Sequence, residues 1–286
     1  MQSHSEKHGK NVAMGVISVL SMKRYLVKNH SLLPWVKFIW CFEDASANIH
    51  HKLLPTDCID VILNLASSMI YEYGGREIIA PAFHINGLRS EHSFIHHTGH
   101  IRTFGVSFYS YGLYPFVQKS IQCIQNRICS LEDLSQSLTD KLQSAVLSDS
   151  TDEIVCNIEK VLYSELNFNP DFMIKAGYIQ EFISRDDNIT IQNFCTEKNI
   201  NLKTFERLVV KHTGYTPQIL RRIKRFQTAS NQLVCQQASL LDLTYCNSYA
   251  DQAHLTKDFR SFSGKSPGMF QKEKISVKEN AVYNYK

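Results

Sequence analysis

The chain has 286 residues, of which 43% are hydrophobic and 20% charged, with a net charge of +4. That length fits two domains better than one core, and the composition excludes a disordered or fibrous chain. No apolar run approaches the ~20 residues that span a bilayer. Eight scattered cysteines with no CxxC pair argue against a zinc site or a redox dithiol.

The net charge conceals an asymmetry. Residues 1–170 carry 14 Lys and Arg against 16 Asp and Glu, whereas residues 171–286 carry 17 against 11. Residues 198–225 hold eight basic side chains (Lys198, Lys203, Arg207, Lys211, Arg221, Arg222, Lys224, Arg225) and one acid, Glu206. A basic C-terminal part behind an acidic N-terminal part points to a polyanionic partner for the former.

Along the chain, residues 1–11 are polar. The stretch VAMGVISVLSM (12–22) has the length of a signal-peptide core. It lacks a small-residue cleavage site and runs straight into Lys23-Arg24, so a cytoplasmic protein is expected. From Pro34 to about Phe116 the texture is β: WVKFIWCFE, CIDVILNL, REIIAPAFHI and IRTFGVSFYS alternate with turns such as Tyr73-Gly74-Gly75-Arg76. From Pro115 to about Leu166 apolar residues recur at spacings of three and four, as in Leu131, Leu134, Leu138 and Leu142, which is a helical period. NFNPDF (167–172) reads as a linker, and helix is expected beyond it to about residue 275. The fold class is therefore α+β. It comprises a β-rich domain with a helical extension (1–166), a linker (167–175), an all-α domain (176–275) and a polar tail (276–286).

Within the all-α domain, ITIQNFCTEKNINLKTFERLVVKHTGYTP (189–217) reads as helix, turn, helix. Asn199 stands where the turn needs a left-handed residue, and Asn201 caps the second helix. Phe205, Leu208 and Val209 form the second helix's buried side, leaving Lys203, Glu206, Arg207 and Lys211 outside. Gly214 stops it, and Thr216-Pro217 starts a helix running to about Leu233, 17 residues or about 25 Å long. The pattern recurs in SLLDLTYCNSYADQAHLTKDFRSFSGKSP (239–267). Leu255, Phe259 and Phe262 fall within roughly 60° of one another, opposite Ala253, Lys257 and Arg260, with His254 and Thr256 flanking. Two short helix pairs with basic outer faces, joined by a rigid helix, suit two successive major-groove segments of a duplex.

The last ~95 residues resemble the DNA-binding domain of AraC/XylS-type transcriptional regulators. Lys203-Thr204-Phe205-Glu206-Arg207, Thr213-Gly214-Tyr215-Thr216-Pro217, Ala250-Asp251-Gln252-Ala253-His254-Leu255, Asp258-Phe259 and Gly264-Lys265-Ser266-Pro267 carry the resemblance. It implies base contacts from Lys203, Glu206 and Arg207 in the first unit, and from Gln252, Ala253, His254 and Lys257 in the second. Lys211 and Arg260 extend the two faces. The family usually has glycine in the second turn, where this chain has Ser248; either Asn247 takes the positive φ or the second reader is less rigid. Segments 53–65 and 104–116 resemble a β-rich regulatory domain found fused to such readers.

A non-catalytic regulator binding double-stranded promoter DNA is the expectation, with RNA polymerase, a small-molecule effector and a second copy of the chain as further partners. No cofactor, metal or membrane is expected, and the effector-binding residues are unknown. Arg221, Arg222, Lys224 and Arg225 are read as phosphate contacts or solvated side chains. Glu206 accepts from cytosine or pairs with a neighbouring lysine. Trp35, Trp40, Phe42, Tyr71, Tyr73, Phe104, Phe108 and Tyr109 either pack the core or line a pocket. His96 and His100, at helical i, i+4 spacing, sit in EHSFIHHTGH between strand-like runs. Two rival readings remain: a DNA alkyl-repair enzyme carrying such a module, whose reactive cysteine would need a cysteine cluster, and an interaction module that has lost DNA readout.

Overall fold

The computed structural model describes residues 22–185, 189–236 and 238–272. Most of the apolar stretch 12–22 and all of the tail 276–286 lie outside the described residues. Among those described, no helix is long and apolar enough to cross a membrane.

The N-terminal part is an eight-stranded antiparallel sheet. Its strands are β1 (Lys23–Tyr25), β2 (Val36–Leu53), β3 (Cys58–Asn64), β4 (Met69–Tyr73), β5 (Arg76–Ile79), β6 (Phe83–Asn86), β7 (Ser93–Tyr109) and β8 (Ile128–Ser130). The main path runs β1-β2-β7-β3-β6-β8, with β4 joining β7 and β5 joining β4. The short runs WVKFIWCFE and IRTFGVSFYS extend into two long strands, β2 and β7, which pair along nearly their whole length with register shifts near Val36 and Asp44. EHSFIHHTGH thus largely belongs to a strand, and His96 and His100 do not share a helical face. His96 instead stacks on its cross-strand partner His50, ring centroids 4.1 Å apart. The sheet also reaches past Phe116: Ile128–Ser130 pairs with β6 inside the stretch read as helical.

Period two gives the sheet two apolar faces. Trp35, Phe104 and Phe108 pack on one, against helices α2 (Leu131–Leu134), α3 (Gln136–Ala145) and α4 (Thr151–Glu165). Trp40, Phe42 and Tyr71 pack on the other. These six aromatics are buried, whereas Tyr73 and Tyr109 are partly exposed. A short helix α1 (Tyr114–Val117) and a 3-10 turn (Ile121–Ile124) leave the sheet after β7.

Helix α5 (Pro170–Ser184) begins inside the 167–175 segment, with Asn169 as its side-chain cap and Pro170 in the first turn. After it come α6 (Ile191–Glu197), α7 (Leu202–Thr213), α8 (Pro217–Asn231), a π turn (Gln232–Gln236), α9 (Leu240–Cys246), α10 (Gln252–Ser263) and α11 (Pro267–Lys272). The α-helical part of α8 stops two residues before Leu233, where the π turn takes over. Cores partition unequally. One continuous cluster runs from Trp35 and Phe108 through Leu138 and Ile158 to Phe182, Phe194, Phe205, Val209 and Leu220. Ile223, Phe226, Leu243, Leu255, Phe259, Phe262 and Phe270 form a second cluster, joined by Leu54 of the β2–β3 connection.

Candidate nucleic-acid interface

Each helix pair is closed by the same local chemistry. In the first, Thr190 caps α6, and the chain reverses through Asn199 at φ 53° with Ile200 N–H returned to Cys195 O at 2.9 Å. Asn201 Oδ1 then accepts from Lys203 N–H at 3.0 Å and Thr204 N–H at 3.3 Å, filling two of the orphan donors at the start of α7. In the second, Ser239 caps α9, Ser248 takes φ 54°, and Tyr249 N–H returns to Thr244 O at 3.1 Å. Asp251 caps α10 through His254 N–H at 2.7 Å. The positive φ therefore falls on Ser248. Asn247 stays at φ −112°, its amide donating to Gln232 Oε1 at 2.7 Å and Leu243 O at 3.0 Å.

Aromatic packing orients each recognition helix. Phe205 of α7 meets Phe182 and Phe194 at ring centroids of 5.2 Å. In α10, Phe259 and Phe262 meet Phe226 at 5.1 and 5.2 Å. With those faces buried, Lys203 and Arg207 project exposed from α7, and the partly buried Glu206 beside them makes no ion pair with a described residue. Lys211 lies at the far end of α7, its amine 5.1 Å from the Tyr114 ring, so it borders the N-terminal domain. On α10, Gln252, Ala253, Lys257 and Arg260 are exposed and, with Thr256, line a shallow depression of about 500 Å³. His254 is partly buried. Its Nδ1 receives Ala250 N–H at 3.4 Å, its Nε2 lies 3.5 Å from Arg225, and its ring stands edge-on to Tyr249, so it braces the turn.

The basic residues of α8 are engaged within the protein, Arg221 buried and the other three partly exposed. Arg221 is buried, its guanidinium 3.8 Å from the Phe182 ring centroid and donating to Ile189 O. Lys224 donates to Ile183 O. Arg222 donates to Asp258 Oδ1 at 2.8 and 3.1 Å, and Arg225 Nη2 lies 3.5 Å from Asp258 Oδ2 while its Nη1 donates to Ser248 O at 3.3 Å. Lys198 pairs with Glu181 at 2.7 Å. The charge count was right about sign and blind to direction. Asp258, only 1% exposed, ties α10 to α8. Its spacing betrays it, since 255, 258, 259 and 262 form one helical stripe with an acid among three apolar residues.

Both units also touch the N-terminal domain. His212, at the end of α7, is buried against Tyr114 (centroids 4.1 Å) and Phe172, and burial with Lys211 nearby lowers its imidazole to about 4. Lys52, at the end of β2, donates to Ser263 O at the end of α10; burial and the neighbouring Lys265 bring its amine down to about 8.

Two helix-turn-helix units that share a connecting helix, each with a capped and exposed second helix, define a double helix-turn-helix DNA-binding domain. Residues 194–273 match the family described as Helix-turn-helix domain, and residues 29–130 match Domain of unknown function (DUF6597). The chain thus carries a helix-turn-helix domain towards its C-terminus. A 92-residue stretch is 28% identical to the transcriptional activator NphR of Rhodococcus. It covers 32% of this chain and 27% of NphR, so the match spans about a quarter of that curated relative. ToxT of Vibrio cholerae O395 is similar with a TM-score of 0.40 and 12% identity, over 79% of this chain and 97% of ToxT. The AraC-like transcriptional activator CuxR gives 0.29 and 13%, over 68% and 78%.

Proposed function

We propose that the protein is a non-catalytic, sequence-specific transcriptional regulator that reads a bipartite duplex site through α7 and α10. The observation that carries this is the repetition: two recognition helices, each with a side-chain N-cap, a preceding positive-φ turn, a left-handed glycine at its end and an outward face with exposed polar and basic side chains. Lys203, Glu206 and Arg207 read one block; Gln252, Ala253 and Lys257 read the other, with Arg260 on the adjoining phosphates. Arg207 and Lys257 suit guanine O6 and N7, and Glu206, without an ion-pair partner among the described residues, suits cytosine N4. His254 supports its turn rather than a base edge.

The N-terminal domain modulates this reader in response to a small-molecule effector, a second copy of the chain, or both, and the bound protein contacts RNA polymerase. The shared hydrophobic cluster favours direct mechanical coupling over a flexible tether. Selection from a randomised duplex pool at ~0.15 M salt tests the reading. Enrichment of two sequence blocks about 10 base pairs apart supports it. Salt-sensitive binding with no enriched sequence favours an interaction module that has lost its readout.

A further inference from the structure

The two helix-turn-helix units end in equivalent corners, Thr213-Gly214-Tyr215-Thr216-Pro217 and Ser263-Gly264-Lys265-Ser266-Pro267. In each, the hydroxyl donates to the carbonyl four residues back (Thr213 to Val209 O at 2.8 Å, Ser263 to Phe259 O at 2.7 Å) and accepts the N–H two residues on. Each glycine has a positive φ, 81° and 73°, and ends its helix. A corner of this kind needs nothing beyond itself to close.

Both corners nevertheless rest on the N-terminal domain, and on opposite ends of one short segment, the connection between β6 and β7. At the first corner the Tyr215 hydroxyl donates to Asn126 Oδ1 at 2.6 Å, with Leu88 O at 3.0 Å. A Cβ on Gly214 would lie 3.1 Å from Ile121 O. Asn126 is itself fixed by Ser90, whose N–H it accepts at 2.9 Å. At the second corner, Lys52 reaches the carbonyl of Ser263, and Gly264 lies so close to His92 that a Cβ there would be 2.7 Å from its ring. Leu88 and His92 are four residues apart. Between them Arg89, 5% exposed, donates to Asn86 and Ser93 across the segment and lies 5.5 Å from the Tyr71 ring centroid, which pins the connection to the sheet.

We propose that the β6–β7 connection, together with Asn126 ahead of β8 and Lys52 at the end of β2, is a spacer gauge. By holding the equivalent corner of both units, it fixes the distance and phase between α7 and α10, so that Tyr215, Asn126, Lys52 and His92 are positioning residues for bipartite readout. Helix α8 also links the units, holding α10 through Phe226 and the Arg222–Asp258 pair, but the two units otherwise pack around two clusters bridged there, among the described residues, by Ile219 alone, so the grips from the N-terminal domain add a second constraint on that distance. The two grips close the loop. This assignment rests on the proposed two-block reading and adds the claim that the gap between the blocks is set from outside the DNA-binding domain.

The test uses the full chain and the wild-type bipartite site in a duplex series whose gap is stepped from three base pairs shorter to three longer. Tyr215→Phe removes one hydroxyl, and Lys52→Met removes one ammonium while keeping an unbranched apolar stem; both are compared with wild type, with thermal melts confirming that each is folded. Wild type should discriminate against a one-base-pair shift on the order of tenfold. Each variant should flatten that preference to about threefold or less, and the double variant further, while affinity for a duplex holding the first block alone stays unchanged. A gap preference as sharp as wild type in both variants overturns the proposal, as does an equal loss at every gap and on the single block. A gain in affinity at all gaps also overturns it and makes the contacts a restraint on binding. If wild type itself selects no bipartite site, the two-block reading has failed, a result separable from all of these.

Discussion

Arg222 and Asp258, 36 residues apart, are joined by two hydrogen bonds of 2.8 and 3.1 Å to a single carboxylate oxygen, and this pair crosses from α8 to the second recognition helix. The carboxylate is almost fully desolvated, whereas Arg222 is about one-third exposed. Removing the acid therefore strands the arginines less than removing them would strand the acid. Asp258→Ala is expected to destabilise the protein by about 2–4 kcal/mol, and Arg222→Ala together with Arg225→Ala by more. Chemical denaturation measures both. A loss below about 0.5 kcal/mol for Asp258→Ala would show that the bracket does not hold α10.

Ser248 and Asn199 occupy matching turns at φ 54° and 53°. Asparagine tolerates that conformation, but serine holds it at a cost on the order of 1 kcal/mol. Ser248→Gly should stabilise the protein by roughly 0.5–1 kcal/mol, part of the gain being offset by the entropy glycine adds to the unfolded chain. The same change at Asn199 should be near neutral. A thermal melt reads both, and a destabilised Ser248→Gly would mean that the serine side chain supports the turn.

His212 and His84 are buried as neutral rings, each held near 4 chiefly by burial. His84 donates from Nδ1 to Pro81 O at 2.8 Å, and its Nε2 lies 3.0 Å from the Tyr71 hydroxyl. The unfolded chain protonates near 6.5, so their contribution is complete above that pH and is lost as pH falls from about 6.5 to about 4. The loss is on the order of 2–3 kcal/mol per histidine. His212→Phe, which keeps the packing on Tyr114 and Phe172, should flatten the stability curve between pH 6.5 and 4 relative to wild type. An unchanged slope in urea denaturation across that range would contradict the assignment.

The C-terminal domain was legible because its determinants are local. Asn201, Thr216 and Gly214 act within a turn of their own helices, and apolar period fixes which side of α7 and α10 is buried. What escaped was non-local. Ser130 pairs with His84 across the sheet, Arg222 finds Asp258 on another helix, and Tyr215 reaches Asn126 in another domain. None of these leaves a period in the sequence. Four basic residues on α8 read as phosphate contacts or solvated side chains because a charge count carries no direction, and two of them are spent on one buried acid. The β2 and β7 strands read as the shorter runs WVKFIWCFE and IRTFGVSFYS because turn-forming residues such as Asp44 and Gly99 lie inside them, absorbed as an irregularity and a positive φ rather than as ends.

The central claim is that α7 and α10 each read their own block. Wild type, Arg207→Ala and Lys257→Ala should be put through the same randomised-duplex selection at ~0.15 M salt. The account predicts that Arg207→Ala loses information in one block only and Lys257→Ala in the other only, each at ~1–3 kcal/mol for the base concerned. Two variants that weaken both blocks equally, or that leave the enriched sequence of wild type intact, would contradict it.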